Sequence, residues 1–97
     1  MIIERITKLL RFLEEYGKQT ESLERCSSEL FGVLDFFIYD VLGVPTYKLS
    51  GGGGTTSKNT ISVSRCFIDE NGKEIWITLE IEKKDNKVVP RLVIHLE

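Results

Sequence analysis

Ten residues, Leu49-Ser50-Gly51-Gly52-Gly53-Gly54-Thr55-Thr56-Ser57-Lys58, divide this chain into two kinds of sequence. Before them, apolar residues recur at helical spacing. After them, they alternate at strand spacing. Four consecutive glycines have no side chains to pack and lose the most entropy on ordering, so the run reads as a connector. The expectation is one α+β domain: a helical half over residues 1–44, a flexible Gly-rich connector over 45–59, and a β-meander over 60–97. Ninety-seven residues are one domain's worth of chain.

In the helical half, Ile2, Ile3, Ile6, Leu9, Leu10 and Leu13 follow the i, i+3, i+4, i+7 pattern of an amphipathic helix over residues 2–16. Phe12 and Tyr16 widen its apolar stripe. Gly17 suits a left-handed C-cap. Thr20 or Ser22 is placed to cap a second helix running to about Leu42, where Gly43 and Pro45 stop it. From Leu30 to Leu42 that helix is apolar nearly all round, broken by Asp35 and Asp40. One neighbouring helix cannot cover such a segment.

The β half shows three runs, Thr60–Ile68, Glu74–Glu82 and Val88–Leu96. Asn71-Gly72 and Asp85-Asn86 mark the turns between them. A two-residue turn at Asp85-Asn86 aligns Ile81 with Pro90, Leu79 with Leu92, Ile77 with Ile94 and Ile75 with Leu96. It also sets Glu80 opposite Arg91 on the reverse face. At the first hairpin a glycine-bulged turn puts Ile61, Val63 and Phe67 on the apolar face, with Arg65 at its margin. The predicted fold is therefore a helical hairpin on a three-stranded antiparallel meander. Its core comprises Ile6, Leu9, Leu10, Leu13, Leu30, Leu34, Phe37, Val41, Ile75, Ile77, Leu79, Leu92 and Ile94.

Composition narrows the function. Net charge is −2, with 6 basic and 8 acidic residues in 1–49 and 7 of each in 50–97. Neither half is basic, and no central strand carries an aromatic pair at stacking spacing, so nucleic acid is not an expected partner and a nucleic-acid-binding module stands only as a second alternative function. There is no leader-like apolar run and no membrane span, which points to the cytoplasm. Cys26 and Cys66 read as two free, buried thiols there. With the single His95 they make no metal site, and no cofactor is implied.

Candidate chemistry is sparse, and no catalytic set is expected. Asp35 and Asp40 lie about 140° apart around a helix, too far to share a face. Asp35 can meet Tyr39 four residues on. The glycine run has the wrong context for a phosphate loop, since Ser57-Lys58 is in reverse order and leads into a strand. Trp76 is expected to face His95 on the sheet surface away from the core, with Cys66 across from Trp76. That leaves two enzyme or ligand-binding alternatives, one on Asp35, Asp40 and Tyr39 and one on a Cys66–His95 pair.

The apolar excess points to surface binding instead. Phe31, Phe36, Ile38 and Tyr39 are the expected interface on the second helix, with Gly32 allowing close approach. Trp76 and His95 are a further interface candidate. The expected function is a small interaction module of the accessory, immunity or inhibitor type, phage-encoded inhibitors among them. Its partner would be a second copy of itself, a different protein, or both.

Overall fold

A computed structural model describes residues 1–96. Helix α1 spans Ile2–Gln19 and α2 spans Ser27–Phe37, and α2 continues through one π-helical turn at Ile38–Leu42. A 3-10 turn at Thr46–Lys48 leads into four strands: β1 (Leu49–Thr56), β2 (Thr60–Ile68), β3 (Glu74–Lys84) and β4 (Lys87–Leu96). They form one antiparallel sheet in the order β1-β2-β3-β4, so every strand pairs with its neighbour in sequence and there is no crossover. α1 lies over β3 and β4, and α2 lies mainly over β2. Leu13, Leu23, Leu30, Leu34, Ile38, Ile61, Val63, Ile77, Leu79 and Ile81 are fully buried between the layers.

The sheet has four strands, not three. The expected flexible connector is the edge strand β1, with Gly52 opposite Arg65 and Gly54 opposite Val63. Two of its glycines are sterically required. A Cβ on Gly52 would sit 2.6 Å from the Ser64 carbonyl oxygen and 3.2 Å from Arg65 Cδ. One on Gly54 would sit 2.7 Å from the Ser62 carbonyl oxygen and 3.6 Å from Phe31 Cζ. Bare backbone lets β1 draw close to β2 while Phe31 and Arg65 lie across it. Strand periodicity is carried by side chains, so a strand without them leaves no alternation to read.

The three remaining strands pair in the expected register. Ile81 faces Pro90, Leu79 faces Leu92, Ile77 faces Ile94, and Ile75 faces Leu96. Asp85 and Asn86 take φ of 53° and 62°, as a two-residue type I′ turn demands. The first hairpin turns through Gly72 at φ 79°. Asp69 organises that turn by accepting the backbone N–H groups of Asn71 and Lys73 on its carboxylate, each at 2.8 Å.

The helices depart from expectation at their ends. α1 continues past Gly17 to Gln19, and Gly17 is buried against the sheet rather than capping the helix. A Cβ there would lie 2.6 Å from Val88 Cγ1 and 3.1 Å from Ile81 Cγ2. α2 starts at Ser27, not after Thr20 or Ser22. The intervening loop carries Leu23 into the core and ties its N–H to the Lys58 carbonyl at 2.9 Å. Gly43 ends the second helical segment at φ 69°, the left-handed cap expected of it. Of the expected core, Ile94 is the exception, standing 52% exposed on the edge strand β4. Ile6, Leu10, Val41, Ile75 and Leu92 are partly buried around the core.

Candidate protein-interaction groove

Two polar contacts fix how the helices lie. Arg5 Nη1 donates to the Asp40 carbonyl at 2.8 Å and approaches its carboxylate at 3.4 Å. The Tyr16 hydroxyl donates to Glu29 Oε2 at 3.0 Å. The start of α1 thus meets the end of the second helical segment, and the end of α1 meets its start. This is an antiparallel hairpin.

Between the helices runs a groove of about 660 Å³, lined by residues of the helical layer alone. Buried Leu9 and Phe37 form its floor, and Phe12, Val33 and Phe36 form its walls. Phe36 is 67% exposed and Phe12 47%. Gly32 deepens one wall, because no atom lies within 4 Å of where its Cβ would be. The charged rim residues are Arg5 and Lys8 on α1, and Glu29 and Asp40 on the opposite side. Burying one such phenylalanine is worth about 1.5–3 kcal/mol, so the exposed pair is a standing loss of stability.

The expected interface on the second helix divides in two. Phe36 and Tyr39 are exposed. Ile38 is fully buried, and Phe31 is half-buried over Gly54 with the Arg65 guanidinium 4.8 Å from its ring centroid. These two point toward the sheet because the outward stripe runs through Glu29, Gly32, Phe36 and Asp40, at steps of three and four. Phe12 and Val33 complete the groove and were not among the expected interface residues. The available signal was the width of the α1 stripe, which Phe12 extends beyond one face.

Trp76 and His95 face each other as expected, on a sheet surface that carries no helix. Trp76 is half-buried and its indole N–H donates to Glu74 Oε1 at 2.6 Å. Cys66 occupies the same row on β2. Trp76 therefore stands between Cys66 and His95, which lie two strand spacings apart, about 9–10 Å. A direct Cys66–His95 pair is ruled out by that register. Cys66 is buried beside Ser50, whose hydroxyl donates to the Cys66 carbonyl at 3.3 Å.

The carboxylates are similarly occupied. Asp35 accepts Arg65 Nε at 2.7 Å and Nη2 at 3.1 Å, a two-pronged ion pair, in place of the expected contact with Tyr39. Asp40 pairs with Arg5. Among the described residues no group of three His, Cys, Asp or Glu side chains is placed to hold a metal ion, and Cys26 and Cys66 are free thiols. Burial, and then the neighbouring Cys26 thiol and Glu29 carboxylate, push the Tyr16 phenol well above its ordinary value of 10.0. No helix among the described residues is long and apolar enough to cross a membrane. No family model, curated protein or solved structure matches the chain.

Proposed function

We propose that this chain is a small non-catalytic interaction module that binds a protein partner in the groove between its two helices. The observation that carries this is the placing of exposed Phe12 and Phe36 beside the gap at Gly32, with charge only on the rim. An apolar centre with a polar border is the anatomy of a binding surface. Trp76 and His95, on the open sheet face, belong to a second and more polar surface. The enzyme alternatives are disfavoured because Asp35 and Asp40 are held by separate arginines and Cys66 is screened from His95. We place the binding in the cytoplasm, where Cys26 and Cys66 stay reduced.

The test is photo-crosslinking in the cells that make the protein, with Phe36 replaced by p-benzoyl-phenylalanine. Light should yield a protein adduct of defined mass. Gly32→Trp in the same chain fills the groove and should abolish that adduct while leaving the circular dichroism spectrum unchanged. No adduct, or an adduct indifferent to Gly32→Trp, would overturn the proposal.

A further inference from the structure

The groove is asymmetric in charge, and the asymmetry is self-complementary. Its charged lining on α1 is basic, Arg5 and Lys8, and on the facing side is acidic, Glu29 and Asp40. No cation interrupts the acidic side, since residues 26–47 contain no lysine or arginine and the third carboxylate there, Asp35, is turned to Arg65 of the sheet. We infer that the occupant of the groove is a second copy of this chain, docked about a two-fold axis that runs along the groove. The inference rests on the groove being the binding surface and adds the identity and pose of what fills it.

Such an axis exchanges left and right but preserves height along the helices. Each α1 then lies antiparallel on the other copy's α2, and the Arg5–Asp40 pair of each copy comes level with that of the other, so that two cations and two carboxylates alternate across the interface. Height can be read from the two polar ties, Arg5 to Asp40 and Tyr16 to Glu29. By that scale Phe12 is level with Gly32 and Val33, and Phe36 is level with Lys8 and Leu9. Phe12 of each copy therefore faces the other copy's Gly32, where space for a ring is open. A two-fold axis across the groove would instead set basic rim on basic rim and acidic on acidic. Like charges placed together across an interface repel, so charge selects the first pose. The same patch then serves both partners, as an isologous interface requires.

The experiment combines sedimentation equilibrium with charge exchange. The unmodified chain should dimerise reversibly over the micromolar range. Arg5→Glu with Lys8→Glu makes both rims acidic and should weaken the dimer by roughly tenfold or more. Adding Glu29→Lys and Asp40→Lys to the same chain restores opposite rims and should restore the dimer. This fourfold variant keeps opposite charges at positions 5 and 40 but loses the Arg5 bond to the Asp40 carbonyl, so its circular dichroism and urea midpoint are measured beside its mass. In native mass spectrometry of the fourfold variant mixed with the unmodified chain, each should pair only with itself. A strictly monomeric chain would overturn this inference, and so would free mixing of the two or a dimer untouched by the half exchange. A monomer that still gives the Gly32-dependent crosslink to another protein would leave the groove as a binding site and refute only its occupant.

Discussion

At the scale of single residues, the four glycines of β1 are identical letters with different duties. Gly52 and Gly54 face Ser64 and Ser62 carbonyl oxygens that cannot yield without moving β2, whereas a Cβ on Gly53 meets no atom within 4 Å. Gly54→Ala should therefore cost about 1–3 kcal/mol, the range for forcing a group into filled space. Gly53→Ala should be neutral or up to about 1 kcal/mol more stable, because it narrows the unfolded ensemble. Urea midpoints decide it, and equal losses at both positions would refute close approach as the reason for the glycines. Tyr16 gives a second expectation, in pH. Its folded-state phenol holds the proton more tightly than the unfolded chain, whose value lies near 10.0. The stability linked to that proton is whole below about pH 10 and drains as pH rises above it. Urea midpoints from about pH 8 to about pH 11 should fall less steeply for Tyr16→Phe than for the unmodified chain. Parallel curves would show that Tyr16 does not titrate in this way. Some of this was open to sequence reasoning. Asp35 and Arg65 each stand alone among apolar neighbours with opposite sign, which hinted at one another across 30 positions, though nothing local joined them.

At the scale of elements, the strands that carry side chains were legible and the one that lacks them was not. Pairing of β2, β3 and β4 follows from matching apolar residues across turns of known geometry. β1 is held by backbone bonds and by what α2 and β2 lay over it, which are properties of the assembled fold. The loop before α2 was obscured for a related reason. Leu23 keeps helical spacing with the residues after it, yet its N–H is taken by Lys58. Gly17 shows how an element boundary can mislead, because a glycine near a helix end resembles a cap even where it is a contact. Gly17→Ala raises helix propensity by about 1 kcal/mol, but its methyl would press on Val88 Cγ1 at 2.6 Å. The net effect should be a loss of about 1–3 kcal/mol. Adding Val88→Ala should recover much of it, with a coupling of about 0.5–3 kcal/mol in a double-mutant cycle. Strictly additive losses would place the strain elsewhere.

At the scale of the whole molecule, sequence periodicity correctly gave a helical hairpin on an antiparallel sheet and an over-apolar second helix. It could not say which apolar residues stay outside. That depends on which side of α2 the sheet takes, and the assembled fold buries Ile38, half-buries Phe31 and leaves Phe36 beside Phe12. The sheet itself bears two unlike surfaces, one sealed by helices and one bearing Trp76, His95 and the Glu80–Arg91 pair at 2.7 Å. Its edges are also unlike, since β4 carries Pro90, which removes a donor from that edge, and β1 carries none. The order of the elements along the chain has a consequence for synthesis on the ribosome. Both helices are made before any strand, while Ile77, Leu79 and Ile81, which seal the core beneath them, come some forty or more residues after Phe37. At about 5–20 residues per second, the nascent hairpin stands for several seconds with its inner and outer apolar faces both bare. During that interval the groove is not the only adhesive surface on the chain, and a chaperone that shields short apolar helices would meet this protein before its sheet does.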